Sequence, residues 1–277
     1  MVVAQDEFVH FARYIQCITG IFLDDSKKYL VESRFDILCS ELGCRSINEL
    51  HMRALQDGKG VIAGRIIDVI TTNETFFFRD EEPFLILKEL VTRLYLRRTV
   101  AGCASHLPVI NIWSAGCSTG QEIYSIAIAL REILYDAASA AVSILGTDIS
   151  DECITKASYG KYTQLEVERG LSPERLERNF KRDGTGWKVR DEIRAMVTFK
   201  RMNLLDDFSF LRKFDAILCR NVAVYFTPED RKKLFERMAV HLNKDSVMIL
   251  GLTETIYGVT NQLCRMENHL GVYYQLS

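Results

Sequence analysis

What this 277-residue chain lacks narrows its function first. It has no excess of one charge, with 35 Lys and Arg against 37 Asp and Glu and a formal net charge of −2. A basic field is what draws a protein to a phosphate backbone, so nucleic acid is excluded as the main partner. None of the eight cysteines (17, 39, 44, 103, 117, 153, 219 and 264) sits in a CxxC pair, and no histidine flanks them at metal spacing. No metal site is therefore expected. Several of them lie in apolar runs, Cys17 in YIQCI and Cys219 in AILC, where a reduced cysteine serves as a small core residue. No apolar run is long enough to cross a bilayer and no signal-peptide pattern is visible, so a cytoplasmic protein without membrane insertion is expected. Internal repeats and low-complexity segments are missing too.

What is present centres on Val109 to Ala129, VINIWSAGCSTGQEIYSIAIA. Val109, Ile110, Ile112 and Trp113 form a nearly unbroken apolar run, as in a strand covered on both faces. Gly116 and Gly120 bracket a turn of small residues. Ile123, Ala127, Leu130 and Leu134 then recur at helical spacing. A strand, glycine turn and helix in that order leave backbone N–H groups pointing outward, where a nucleotide-like ligand can lie.

Ahead of this unit the pattern is helical. Phe8, Phe11, Ala12 and Ile15 repeat with a helical period. Asp25 or Ser26 is expected to cap a second helix ended by Gly43, and Ser46 to Glu49 has the form of a capping box. A fourth helix is expected over 61–70. The segment TTNETFFFRD, residues 71–80, follows. Its three phenylalanines, Phe76 to Phe78, suit a hydrophobic staple holding two domains together. Asn73, Thr75 and Arg79, interleaved with them, suggest specific hydrogen-bonding tasks. A helix from about 81 to 96 and a loop over 99–108 come next.

From 109 onward strands and helices alternate, which predicts a parallel sheet. Strands are expected at 142–145, 196–199, 214–218 and 246–251. An irregular stretch is expected over 159–170 and a small hairpin after 184. Thr227-Pro228-Glu229-Asp230 predicts a strong helix start. Segments 263–266 and 271–276 suit an antiparallel pair at the sheet edge.

Ligands of such sheets bind beyond the carboxyl ends of the strands. The residues there are the glycine loop with Glu122, then Asp148, then Asn203 and Leu204, then Arg220 and Asn221. Asp148 is suited to accept hydrogen bonds from a ribose diol. The spacing G-x-x-x-G replaces the G-x-G-x-x-G of dinucleotide sites, and no GKS or GKT follows. Another adenosine-bearing ligand is therefore favoured over a nicotinamide, a flavin or a nucleoside triphosphate.

These motifs together carry a family resemblance. TTNETFFFRD, WSAGCSTGQEIYSIAIAL, GTDIS, Lys156 to Gly160 with Tyr162, MNLL, FDAILCRNVAVYF and LGLTE match blocks across nearly the whole chain. The chain resembles the bacterial CheR-type chemotaxis receptor methyltransferases, which transfer a methyl group from S-adenosylmethionine to glutamate side chains. The resemblance implies an α/β fold, a Rossmann-like class I methyltransferase sheet with a small all-helical N-terminal domain and a small β-hairpin subdomain. The implied boundaries are a helical domain over 1–70, a linker and helix over 71–98, and a methyltransferase domain over 99–277 with the β subdomain at about 181–197.

The resemblance also implies residue roles. Asn73, Thr75 and Arg79 match the first cofactor-contacting segment, and Gly116 belongs to the glycine loop. Glu122 matches a contact to the methionine amino group; Gln121 stands where the family often has a first acid. Asp148 matches the ribose-binding acid. Asn203, Leu204, Arg220 and Asn221 match the segments around adenine and the donor methyl. Arg79 and Tyr225 match residues close to the transferred methyl and are the catalytic candidates. The implied cofactor is S-adenosyl-L-methionine, with S-adenosyl-L-homocysteine as product, and the implied partner is the cytoplasmic helical region of methyl-accepting chemotaxis receptors.

Two departures bear on that partner. The helix over 26–42 balances Lys27, Lys28 and Arg34 against Glu32, Asp36 and Glu41, which argues against electrostatic docking there. The hairpin around Gly184 to Trp187 is short, so tight docking of a receptor-tail pentapeptide is not expected. A non-catalytic cofactor-sensing module and a same-fold methyltransferase for another acceptor remain as alternatives, because fold and cofactor site do not fix the acceptor.

Overall fold

The computed structural model describes residues 2–100, 109–134 and 142–277. Four helices come first: α1 (Gln5–Thr19), α2 (Lys28–Leu42), α3 (Ile47–Gln56) and α4 (Val61–Ile70). Their apolar faces meet in a core of their own, built on Phe8, Phe11, Ile15, Val31, Phe35, Leu50 and Ile66. Gly43 ends α2 in the left-handed conformation at φ 65°. Ser46 opens α3, its Oγ accepting the Glu49 N–H at 3.2 Å. The start of α2 differs from expectation. Neither Asp25 nor Ser26 caps it: Asp24 caps a 3-10 turn over 25–27, its carboxylate accepting the Ser26 N–H at 2.8 Å, and α2 then begins after Lys27 with no side-chain cap.

After the segment 71–80 runs α5 (Glu82–Val100), longer than expected, so that 99 and 100 belong to a helix. The rest of the expected loop, 101–108, lies outside the described residues. Strands and helices then alternate: β1 (Ile110–Ala115), α6 (Gln121–Leu134), β2 (Val142–Asp148) and α7 (Asp151–Tyr159). A small excursion follows, comprising β3 (Lys161–Tyr162), α8 (Gln164–Glu168), α9 (Pro173–Asn179), β4 (Phe180–Asp183), β5 (Gly186–Val189) and α10 (Asp191–Arg194). The chain then returns through β6 (Val197–Arg201), β7 (Phe214–Cys219), α11 (Pro228–Val240), β8 (Leu242–Leu250), β9 (Leu263–Asn268) and β10 (Gly271–Leu276).

Seven strands make one sheet in the order β6-β2-β1-β7-β8-β10-β9, and β3-β5-β4 make a second, smaller one. The first five strands of the large sheet are parallel, and β10 and β9 close its edge antiparallel. The two-residue period of a strand assigns side chains to faces. Ile112, Ala216, Leu218, Val247 and Ile249 pack on one face with α5 and α6. Trp113, Ile217, Cys219, Met248 and Leu250 pack on the other with α11. The fold is thus the expected Rossmann-like sheet behind a small helical bundle.

Two stretches differ from the sequence expectation. Residues 159–170 are not irregular: β3 is too short to show alternation, and α8 is a single capped turn in which Thr163 and Glu166 form a capping box. The strand expected at 246 begins at Leu242. Asp245, left-handed at φ 65°, throws out a bulge between the Phe214–Leu242 and Ala216–Val247 pairs, which hides the strand among polar residues.

Candidate active site

The chain leaves β1 toward β2 and β6 on one side, then returns to place β7 on the other. The loops after β1 and β7 therefore part, and a crevice opens between them. Gly116 and Cys117 both donate to the Thr147 carbonyl, at 2.8 and 2.9 Å, so the glycine loop folds over the end of β2. Gly116 has φ 82°, and a Cβ there would stand 2.3 Å from Val222 Cγ2; only glycine fits. Asp148, the last residue of β2, binds the loop from below. Its Oδ2 accepts the Ser118 N–H at 2.8 Å and its Oδ1 the Ser150 N–H at 3.0 Å. Burial pushes the Asp148 carboxyl above its ordinary value, against the pull of those N–H donors, and the nearby Asp68 pushes the same way as burial. Burial also pushes the Cys117 thiol well above its ordinary value, which makes it an inert packing group.

Glu122 sits in the first turn of α6 and faces the crevice. Its Oε1 accepts from Ser114 Oγ and its Oε2 from Arg220, each at 2.8 Å. Arg220, at the end of β7, has a side chain only 2% exposed and reaches three groups. Besides Glu122 it donates to Asp80 Oδ2 at 2.6 Å and to the Arg79 carbonyl at 2.8 Å. One buried cation thus ties the amino-terminal turn of α6 to the segment 71–80.

That segment is an arm laid along the sheet edge. Phe77 is its anchor, fully buried and edge-on to Tyr162 and Phe180, with ring centroids 5.0 and 5.5 Å away. Phe76 and Phe78 lie under the guanidinium groups of Arg169 and Arg175, at 4.4 and 3.8 Å. The aromatic staple therefore fastens the arm to the small subdomain of its own half. Phe77 joins the core of the large sheet, not that of the helical bundle, so the phenylalanines do not pin the two domains together as expected. The Phe78 N–H donates to Ser125 Oγ at 2.9 Å, and Ser118 Oγ donates to the Asn73 carbonyl at 3.3 Å. Arg79 donates to the Glu74 carbonyl at 3.1 Å and leaves the rest of its fork toward the crevice it lines.

The helical bundle supplies the opposite wall. Asn203 Nδ2 donates to the Ile18 carbonyl at 3.0 Å, and the Phe22 N–H donates to the Tyr225 carbonyl at 2.8 Å. Ser150 Oγ donates to Asp68 at 2.6 Å. Lys27 and Arg34 line the crevice from this side.

Every site residue expected from the sequence lines this one crevice: Asn73, Thr75, Arg79, Gly116, Glu122, Asp148, Asn203, Leu204, Arg220, Asn221 and Tyr225. Two of them also do something the motif did not indicate. The Asn203 amide joins the two halves of the chain, and the Arg220 guanidinium is engaged by protein groups. Asp80 and Glu254 are residues that sequence reasoning missed. Glu254 accepts the N–H groups of Gly251, Asn221 and Val224, at 2.9, 2.6 and 3.2 Å, and so fixes the loop after β7. The LGLTE block held that signal, and TTNETFFFRD held Asp80.

A family model described as CheR methyltransferase, SAM binding domain, matches residues 73–272, and one described as CheR methyltransferase, all-alpha domain, matches residues 6–71. The chain belongs to the CheR methyltransferase family. It is 35% identical over 273 residues to chemotaxis protein methyltransferase Cher2 of Pseudomonas putida, covering 97% of each chain. It is 36% identical to chemotaxis protein methyltransferase 1 of Pseudomonas aeruginosa, covering 99% of each. Its identity to the chemotaxis protein methyltransferase of Vibrio parahaemolyticus is also 36%, over 99% of this chain and 98% of that one. This CheR-family chain is an S-adenosylmethionine-dependent methyltransferase. Among the described residues no helix is long and apolar enough to cross a membrane.

The residues fit that cofactor. Asp80, Glu122 and Arg220 together carry a formal charge of −1, so the crevice wall invites one further cation, as an α-ammonium would supply. The Asp148 carboxylate accepts backbone N–H groups of Ser118, Ser150 and Ile149, which leaves acceptor capacity for a hydroxyl among its roughly four lone-pair sites. The missing Cβ of Gly116 leaves backbone free to approach a ligand.

Proposed function

We propose that this methyltransferase esterifies glutamate side chains in the helical region of chemoreceptors, in the cytoplasm. The observation that carries the proposal is the seating of Arg79 at a crevice that also holds Glu122, Asp148 and Tyr225. The relatives, chemotaxis protein methyltransferases by name, support the acceptor class.

S-adenosylmethionine, when bound, supplies a methyl group on a sulfonium that loses its positive charge as the methyl leaves. Glu122 holds the ammonium end of that ligand and Asp148 its ribose. Asn73, Thr75, Gly116, Asn203, Leu204, Arg220 and Asn221 complete the lining. A glutamate acceptor has an unperturbed pKa of about 4.3, so at neutral pH it arrives as the nucleophile. No general base is required, and what the chain contributes is orientation and removal of water. Arg79 clamps the incoming carboxylate with its planar fork, a geometry lysine cannot reproduce. Tyr225, at the mouth, directs its hydroxyl to the same carboxylate. Arg79 and Tyr225 are thus the proposed catalytic residues.

Incubation with labelled cofactor and receptor fragments tests this directly. Wild-type chain is expected to produce a base-labile methyl ester. Arg79→Ala is expected to bind S-adenosylhomocysteine normally and to lose about 10²-fold in kcat. Label that resists base, as an N-methyl group does, would contradict the acceptor chemistry.

A receptor-tail pentapeptide is not part of this proposal. Only Gly184 and Thr185 separate β4 from β5, with Asp183 paired to Gly186. Titration calorimetry with such a peptide is expected to show binding weaker than micromolar.

A further inference from the structure

The segment after β8 carries apolar side chains that neither core nor crevice uses. Leu252 is 65% exposed and Tyr257 is 89% exposed. They do not ride on a loose loop. Between them Glu254 turns inward and accepts three backbone N–H groups, and Ile256 is buried in the core under β8. Thr255 Oγ1 accepts the Tyr257 N–H at 3.1 Å, and the Val259 N–H donates to the Ile256 carbonyl at 2.9 Å. Large apolar groups held rigidly in water gain nothing for the fold. They are the form that preorganised anchors of an interface take.

Their position gives the occupant. The Glu254 carboxylate that accepts the N–H of Gly251, next to Leu252, also holds Asn221 and Val224, the backbone of the crevice mouth. Val224 and Tyr225 are exposed there, and so is Phe22, whose N–H is bonded to the Tyr225 carbonyl. An apolar rim therefore runs on from the mouth. Of the carboxylates lining the opening it borders, Glu74 is paired to Arg169 and Glu122 to Arg220, and Asp148 is held by backbone N–H groups. Three further cations line it, and among the described residues none forms an ion pair with a carboxylate: Lys27, Arg34, whose guanidinium donates to the Ile70 carbonyl at 2.8 Å, and Arg79, which donates to the Glu74 carbonyl. Apolar anchors beside a carboxylate-seeking opening suit a helix that presents a glutamate with apolar neighbours one turn away on the same face.

We propose that Leu252 and Tyr257, with Val224 and Phe22, form the surface on which an amphipathic helix of the acceptor protein docks. The proposal rests on the assignment of protein glutamate as acceptor. It makes Leu252 and Tyr257 determinants of acceptor affinity with no part in cofactor binding.

The test compares wild type with Leu252→Ser/Tyr257→Ser. S-adenosylhomocysteine affinity by calorimetry and the melting temperature are expected to stay at wild-type values. With receptor fragments as acceptor, KM is expected to rise about tenfold while kcat stays within about twofold. Should the double variant fold poorly, Tyr257→Ser alone serves, because an almost fully exposed side chain does not carry the fold. An unchanged KM in a folded variant would overturn the docking surface and leave the activity standing. A wild-type chain that labels no receptor fragment would overturn the acceptor assignment itself.

Discussion

Arg220 shows how much of this site depends on contacts between its own lining groups. It is nearly inaccessible, and it joins Glu122 to both Asp80 and the Arg79 carbonyl. Removing it leaves two acids without their cation, which typically costs about 3–5 kcal/mol. Arg220→Met is therefore expected to lower the melting temperature and to reduce kcat more than it weakens S-adenosylhomocysteine binding. Arg220→Lys should restore stability in part but not kcat, because one ammonium cannot reach all three partners. Asp148 makes a second prediction. A ribose diol needs the ionised carboxylate as acceptor, and burial raises the pKa of that group. Protonation removes the acceptor, so affinity for S-adenosylhomocysteine should fall as pH is lowered, beginning above the usual aspartate value of about 3.9. Calorimetry across pH checks this; Asp148→Asn should bind more weakly and lose the dependence. At this scale the place of Glu122, Asp148 and Arg79 at the crevice was legible, the first two from the glycine turn and a strand's carboxyl end and the third as a polar side chain set among aromatics. Asp80 and Glu254 were not, since their tasks are to hold Arg220 and the Asn221 N–H, far away in sequence.

The decisive element is the arm over residues 71–80, and it is held under strain. Phe78, Asp80, Ser118 and Asn221 are four of the five described non-glycine residues with positive φ, and all four lie on the arm or on the loops that face it. Such conformations cost about 1–3 kcal/mol each and persist where surroundings enforce them. Phe77 is one enforcer. Phe77→Ala is expected to destabilise the chain by about 3–5 kcal/mol. Gly170 is another, because a Cβ there would lie 1.8 Å from the Phe77 carbonyl oxygen. Gly170→Ala should therefore displace the arm and reduce methyl transfer together with thermal stability, as read by melting curves and rate assays on the same sample. The helices and core strands were legible from period and caps, as Thr227-Pro228 before α11 illustrates. β3 and the start of β8 were hidden, the first by being two residues long and the second by the Asp245 bulge. Nothing in the run of phenylalanines told which half of the chain they would fasten.

At the scale of the whole molecule, the crevice belongs to both halves. The helical bundle closes it through the Asn203–Ile18, Phe22–Tyr225 and Ser150–Asp68 hydrogen bonds, and it contributes Lys27 and Arg34 to the lining. The near-neutral charge of α2 concealed this, since what matters is which of its charges face inward. The account's central claim is that this shared crevice holds the methyl donor, with the arm already in place. A crystal structure with S-adenosylhomocysteine tests it most directly. The account predicts the ligand amine on Glu122, its ribose on Asp148, and Arg79 beside the sulfur with the Arg220 contacts unchanged. A ligand bound elsewhere, or an arm that had left Arg220 and Phe77's pocket, would contradict it.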